Sequence, residues 1–310
     1  MAGLRWMAVT LAVFLSTGNS LAVDQNQLAT IVQQVLNRYT PSYMNSGRMK
    51  YPMFSLAVSI PYNSVSRSYD LNQVPDTSEA VKNRIQDCNL YIGTRVVAAT
   101  VLRWPDVLTQ CPNGPVQWPN VLRQCPAGVR TWNQVKSLCP QTIRDGRADH
   151  AEYRTLQGLN TLLTNRGSND LLLFYVLSSP CDKRCTSETS RWNILDSIQR
   201  ITSWNNRAVV FSNVFKPGGT TILPENDLRG ALERLGNRVG LQNIFRCRRR
   251  PGMQCTSCST NGQVTPYCYS DNAGTGPSQN LPQGGGGGQS WSGVQSWGGS
   301  QPWGGDQRWG

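Results

Sequence analysis

Asp149-His150-Ala151-Glu152-Tyr153 and Pro180-Cys181-Asp182-Lys183-Arg184-Cys185 are the two segments whose reading decides the fold, and residues 153–179, 27 in all, separate Glu152 from Pro180. One imidazole nitrogen and two thiolate sulfurs can hold a zinc ion tetrahedrally and leave its fourth position for water. Glu152, two residues past His150, is placed to move protons without ligating. His150 opens a helical pattern in which Tyr153, Leu156, Leu159 and Leu163 share one apolar face. Leu171 to Leu177 is unbroken apolar, which suits a strand buried on both faces of a sheet. Pro180-Cys181 leads into a further helix carrying Leu195, Ile198 and Ile201 inward. Cys181 and Cys185 stand four positions apart, so one helical turn presents both sulfurs to the same ion. Two helix N-termini aimed at one point favour thiolate and hydroxide.

Outward from this centre, strands and helices alternate. Leu28, Ile31, Val32, Val35, Leu36 and Tyr39 mark one helical face, with Asp24 at its start and Pro41 past its end. Phe54, Leu56, Val58 and Ile60 alternate with Ser55, Ala57 and Ser59, the period of a half-buried strand. A polar stretch follows, and Tyr91 to Leu102 reads as a second strand. Beyond the cysteines, Ala208 to Phe211 reads as a strand. Pro224 and Asp227 start a helix with Leu228, Leu232, Leu235 and Val239, and Gln242 to Phe245 is a last short strand. Such alternation implies an α/β sandwich with a partly parallel sheet.

Between the second strand and His150 the chain repeats every 14 residues. Trp104-Pro105-Asp106-Val107-Leu108-Thr109-Gln110-Cys111-Pro112 is followed by Trp118-Pro119-Asn120-Val121-Leu122-Arg123-Gln124-Cys125-Pro126. A looser copy spans Trp132-Asn133-Gln134-Val135-Lys136-Ser137-Leu138-Cys139-Pro140. Trp, Val and Cys at i, i+3 and i+7, joined by Leu at i+4 in the first two copies, share a face of a two-turn helix. Three helices this short need disulfides and tryptophan packing to hold. The repeat is read as structural, with a rim over the site as its functional option.

The ends differ from the middle. Residues 1–22 read as a secretory signal: Arg5 is followed by the apolar run Trp6 to Leu15 and by Ser20-Leu21-Ala22, a small-x-small cleavage site. That run is too short to span a bilayer, no later stretch is long enough, and an exported protein without a transmembrane segment is expected. Removing Arg5 with the signal lowers the formal charge from +12 to +11. This excess suits a polyanion such as nucleic acid, anionic glycan or bacterial envelope, and equally suits plain solubility. The sequence contains no Asn-x-Ser/Thr acceptor, so no N-glycosylation is expected. From about residue 270 to 310 the composition is Gly, Ser, Gln and Pro rich, with Trp291, Trp297, Trp303 and Trp309 at intervals of six, and a disordered tail is expected.

Ten cysteines, at 88, 111, 125, 139, 181, 185, 247, 255, 258 and 268, belong to an oxidising compartment. Their number fits four disulfides plus a Cys181–Cys185 metal pair, and equally fits five disulfides and no metal. Cys247, Cys255, Cys258 and Cys268, beside Arg246, Arg248, Arg249 and Arg250, read as two disulfides rather than a zinc knuckle. His150 is the only histidine and no Gly-x-Ser-x-Gly is present, so a nucleophilic triad elsewhere and a second histidine-based metal site are both excluded.

At these residues the chain resembles the AID/APOBEC-like cytidine deaminase superfamily. His150-Ala151-Glu152, Ser179-Pro180-Cys181 and Cys185 match its His-x-Glu and Ser-Pro-Cys-x(2–4)-Cys motifs. The signal and the extra cysteines are more similar to its secreted branch. The resemblance spans roughly residues 51–245 and implies a three-layer α/β/α sandwich around a mixed five-stranded sheet. It further implies zinc on His150, Cys181 and Cys185, proton shuttling by Glu152, and backbone around Ser178 and Ser179 lining a base pocket. The family's aromatic residue before Ser-Pro-Cys is replaced by Leu177 and Ser178, and Tyr175 is the nearest aromatic. The Trp-Cys insert and the Gly/Trp tail have no counterpart in the intracellular members.

The domain reading is therefore a signal (1–22), an N-terminal helix (23–50) and a deaminase-like domain (51–245) carrying the insert (104–140). A basic Cys-rich segment (246–269) and the tail (270–310) follow. The functional expectation is a secreted zinc enzyme deaminating cytosine in single-stranded nucleic acid, of microbes or viruses in host defence. Two alternatives stand beside it: deamination of a free nucleoside, and a catalytically silent cationic binding protein on the same scaffold.

Overall fold

The computed structural model describes residues 23–217, 223–249 and 251–273. The signal, residues 274–310 of the tail with its four spaced tryptophans, and Arg250 lie outside the described residues; the first tail residues are ordered rather than disordered, because buried Arg246 binds the Ser270 carbonyl and the Asp271 carboxylate. Helix α1 (Gln25–Tyr39) begins where Asp24 Oδ1 accepts the backbone N–H groups of Asn26 and Gln27 at 3.0 and 2.8 Å. That cap satisfies two donors a helix start leaves orphaned.

The sheet is built from β1 (Phe54–Ile60), β2 (Tyr91–Ile92), β3 (Val96–Thr100), β4 (Leu171–Ser178), β5 (Asn206–Asn213), β6 (Ile244–Arg249) and β7 (Met253–Ser257). Their order is β7-β6-β5-β4-β1-β3-β2. β4, β5 and β6 run parallel to one another, and every other pairing is antiparallel. The expected five strands are the central β3, β1, β4, β5 and β6. A short strand added at each edge makes the sheet seven-stranded, and the Cys-rich segment thus continues the main sheet through a β6–β7 hairpin.

Helices close both faces, giving the three-layer sandwich. α1 and α2 (Ser78–Gln86) cover one face, where Leu28, Val32, Val35 and Ile85 pack on Leu56, Val58 and Tyr175. On the other face lie α6 (Ala151–Gln157), α7 (Asn160–Thr164), α8 (Leu195–Gln199) and α9 (Glu225–Val239), the numbers α3 to α5 belonging to the insert. Their Leu156, Ile198, Leu232 and Leu235 pack on Phe174, Val176 and Phe211.

Three expectations need correction. β1 is buried on both faces, not one. Its small residues lie under α6, where Thr155 Oγ1 donates to the Ser55 carbonyl at 3.1 Å. The alternation therefore separates a bulky face from a close-packed one. Tyr91 to Leu102 is not one strand, because the chain reverses at Gly93-Thr94-Arg95. The Asp76 carboxylate takes the Thr94 and Arg95 N–H groups at 3.0 and 2.8 Å, so these donors are lost to a strand ladder. The polar stretch before it contains α2, started by Thr77 accepting the Ala80 N–H at 3.2 Å.

The insert forms α3 (Val107–Gln110), α4 (Pro119–Leu122) and α5 (Trp132–Leu138), each shorter than two full turns. The repeat predicts their shared role well. Trp104, Trp118 and Trp132 converge in one satellite core with Val107, Val121 and Val135. The Trp118 and Trp132 rings meet edge to face at 5.0 Å. Leu108 and Leu122 are only partly buried against it. Cys125–Cys139 staples the insert internally, and Cys88–Cys111 ties it to the end of α2. Cys247–Cys255 crosses the β6–β7 pair and Cys258–Cys268 follows it, which makes that segment two disulfides.

Because Trp132 is fully buried at the centre of a small satellite core and packs on two other tryptophans, truncating it cannot be absorbed by repacking. Trp132→Ala is expected to destabilise the protein by about 3–5 kcal/mol. Denaturant unfolding under non-reducing conditions checks this. A loss below about 1 kcal/mol would show that the disulfides alone hold the insert.

Candidate metal centre

His150 is the N-cap of α6, with extended backbone (φ −69°, ψ 148°) just before the first turn. Its position is fixed from both sides. Ala148–Asp149 pairs with Leu102–Arg103, extending the chain into the cap. Asp149 Oδ2 accepts the Trp118 indole N–H at 2.8 Å, so the insert's second tryptophan holds the residue next to the histidine. One turn into the helix, buried Arg154 donates to the Cys88 carbonyl and to Gln117 Oε1, both at 2.7 Å, and to the Thr100 carbonyl.

The cysteines arrive from the end of β4. The Ser179 N–H donates to the Asn213 carbonyl at 2.8 Å, and Ser179 Oγ accepts the Phe215 N–H at 2.9 Å, tying β4 to β5 where the chain leaves the sheet. Asp182 to Cys185 is a tight turn, not the expected helix, and α8 starts only at Leu195. Two competing sets of bonds explain this. Thr186 donates from both its backbone and its hydroxyl to the Cys181 carbonyl, at 3.1 and 3.2 Å. From α9, Arg234 donates to the Thr186 carbonyl at 2.7 Å and pairs with Asp182. Hydroxyl-rich Thr186-Ser187-Glu188-Thr189-Ser190 offers such local bonds in place of helical ones. The turn still brings both sulfurs to one side.

The donor atoms of His150, Cys181 and Cys185 all lie within 4.8 Å of one another. His150 Nδ1 is 3.0 Å from Cys185 Sγ and 3.7 Å from Cys181 Sγ, and the sulfurs are 3.1 Å apart without a bond between them. Glu152 is buried beside them. Its Oε1 accepts from the Cys185 thiol at 2.8 Å and lies 3.6 Å from His150 Nδ1. One nitrogen, two sulfurs and a non-ligating carboxylate fit a zinc site with an open fourth position.

The four groups perturb one another strongly. Cys181 ionises easily: the hydrogen bond from Cys185 leads, burial opposes it, and His150 assists, bringing the thiol down to about 5. Cys185 moves the other way, because burial and then the neighbouring Cys181 and Glu152 resist another negative charge. Burial disfavours a charged imidazole, yet bonds to Cys181 and Glu152 outweigh it and push His150 up to about 10. For Glu152, burial is outweighed by the His150 bond and charge, so its carboxyl stays below the ordinary value.

Four residues singled out in the sequence thus meet here: His150, Glu152, Cys181 and Cys185. Ser178 ends β4 half-buried, and Ser179 spends its hydroxyl on the Phe215 N–H. Tyr175 is not part of the cluster. It lies on the opposite face of β4, in the α1 layer, with its hydroxyl 2.9 Å from Ser212 Oγ and its ring 5.5 Å from Phe54. Residue parity along β4 carries that signal, since Tyr175 and Phe174 must face opposite ways. Sequence reading missed Arg154, Arg234 and Trp118 as supports. Only the repeat hinted at the last of these.

The family described as Secreted Novel AID/APOBEC-like Deaminase 1 matches residues 121–272, which supports the secreted AID/APOBEC-like family read from the motif. The matched span runs from the second repeat to just past the last disulfide and contains all four site residues. No curated protein and no solved structure gives a significant match.

At neutral pH the raised His150 and Cys185 each keep a proton that a divalent ion must displace, whereas Cys181 is already ionised. Zinc uptake is therefore expected to release about two protons, and zinc affinity to rise with pH. Calorimetric titration in buffers of different ionisation heat measures this, and release near zero would contradict the charge assignment.

Proposed function

We propose that this chain, whose residues 121–272 belong with the secreted AID/APOBEC-like deaminases, is an exported zinc-dependent deaminase that hydrolyses the exocyclic amine of cytosine in single-stranded nucleic acid. The observation that carries the reading is a carboxylate packed against three metal donors without being one of them. Zinc bound by His150, Cys181 and Cys185 would lower the pKa of a bound water, so that hydroxide is available near neutral pH.

The chain's own groups account for the proton traffic. Glu152 Oε1 holds the Cys185 thiol proton in the structure, and ionising Cys185 leaves that oxygen ready for a proton from water. It would take that proton and return it to the ring nitrogen and to the leaving amine. In the balanced reaction one water is consumed, a carbon–oxygen bond replaces the carbon–nitrogen bond, and ammonia leaves. The fold supports this by rigidity: α6 and the cysteine turn are anchored to different parts of the sandwich, by Arg154 and Arg234 respectively.

Export through residues 1–22 is part of the proposal, in keeping with the family's description and the four disulfides. No helix among the described residues is long and apolar enough to cross a membrane. The +11 charge expected after signal removal favours a polyanionic substrate over a free nucleoside, and a microbial or viral strand is the proposed target.

Glu152→Gln keeps the volume and the local packing but cannot accept the proton. It is expected to retain zinc and to lose about 10²–10⁴-fold in conversion of cytosine to uracil in a single-stranded oligonucleotide. Conversion at the native rate by this variant would remove Glu152 from the reaction.

A further inference from the structure

Beside the metal centre a cleft of about 770 Å³ opens between the insert and the cysteine turn. One wall carries Asn120 of the insert with Arg144 and Arg147 from the segment between the insert and His150, and the other carries Arg184, Arg191 and Trp192. Its floor includes Ala148, two residues before His150, and Arg184 is next in the chain to Cys185. Arg184 donates to the Ala148 carbonyl at 3.4 Å, joining the two metal-bearing segments across the cleft.

Four guanidiniums share this space, and none forms an ion pair with a carboxylate among the described residues. Asp145 is the one acidic residue in the lining. Two arginines outside the cleft are neutralised in contrast. Arg234 is paired with Asp182, and Arg246 is fully buried against Asp271 and the Tyr267 carbonyl. Of the basic segment around Cys247, Arg246 and Arg248 thus share the Asp271 carboxylate, whereas the cleft arginines have no such partner among the described residues. Arg147, partly buried, has its pKa lowered by that burial, with Asp149 opposing and the like charge of Arg191 adding to the shift.

Three of the cleft arginines are also held in place. Arg147 donates to Asn120 Oδ1 at 2.8 Å and lies 4.1 Å over the Trp118 ring. Arg191 stacks 3.9 Å from the Trp192 centroid, with Arg184 5.6 Å from the same ring. Guanidiniums fixed by stacking give up less freedom on meeting an anion than mobile lysines do. Four positive charges exceed what one phosphodiester carries, and a half-buried tryptophan among them adds a stacking surface. Positive groove and aromatic platform together are the chemistry that binds single strands.

We infer that this cleft seats the backbone of a single-stranded nucleic acid, with Arg144, Arg147, Arg184 and Arg191 meeting its phosphates and Trp192 stacking a base. The strand's identity as substrate rests on the deaminase reading, but its binding does not. The insert then has a second role: besides holding His150 through Trp118 and Asp149, its Asn120 and Trp118 position Arg147 in one wall of the substrate path.

The test is the binding of fluorescent oligodeoxycytidylate to the full secreted chain over a salt series, read by anisotropy. Glu152→Gln serves as the background so that the strand is not altered. Arg144→Ala with Arg191→Ala is expected to reduce the log affinity–log salt slope by about 1.4, or about 0.7 per phosphate contact. Lys82→Ala with Arg84→Ala, the same charge change on α2, is expected to leave it unchanged. Trp192→Ala is expected to weaken binding roughly five- to hundredfold. Equal slopes for the two double variants would overturn the assignment. So would a heparin oligosaccharide bound as tightly as the strand with no effect of Trp192→Ala, since recognition would then be by charge alone. Unchanged zinc content and circular dichroism certify that the variants are folded. With Glu152 intact, arginine-dependent binding without cytosine conversion would sink the deaminase reading and keep the cleft. Conversion with an unchanged slope would sink the cleft and keep the deaminase.

Discussion

The constraint on which this structure depends is the meeting of four ionisable groups at one point, three of them buried. Glu152, Cys181 and Cys185 are buried and His150 half-buried where α6 and the cysteine turn meet. Charged or polar groups are tolerated in such a place only when each satisfies the others. The cluster meets that demand with sulfur–imidazole and sulfur–carboxylate contacts of 2.8 to 3.7 Å. A small displacement of either segment would leave a buried group unpaired, and the supports around it follow from that cost. Asp149 is held by Trp118, Arg154 locks the first turn of α6, and Arg234 grips the cysteine turn from α9.

Seen this way, the disulfide-stapled insert belongs to the centre. Its helices are too short to persist alone, yet three tryptophans and two disulfides fix them against the end of α2 and the segment entering α6. The same packing that places Asp149 also places Arg147 over Trp118, so support of the metal ligand and shaping of the cleft share one element. In an oxidising compartment the arrangement has a further consequence. The four disulfides consume every cysteine except the two that face His150, leaving that pair as free thiols able to hold a metal.

Much of this was legible in the sequence, and the reasons are local. Strongly periodic α1, the apolar run of β4 and the 14-residue repeat each carry their structure in their own residues. The candidate ligand cluster was readable because His150 is the only histidine and because Cys181 and Cys185 keep one side of a turn whether or not that turn is helical. What was not legible depends on distant partners. The reversal at Gly93-Thr94-Arg95 is set by Asp76, the non-helical cysteine turn by Arg234, and double burial of β1 by close approach of α6. Tyr175 faces away because strand parity sends it into the α1 layer, although proximity in sequence suggested the base pocket. The cleft was invisible for the same reason, since its arginines come from two segments about 40 residues apart.

The central claim is that His150, Cys181 and Cys185 form a zinc site, and zinc content per chain in the purified, secreted protein, beside a His150→Ala control, tests it most directly. The account predicts about one zinc in the native protein and far less in the control. A native protein without zinc, with Cys181 and Cys185 mapped to a disulfide, would contradict it.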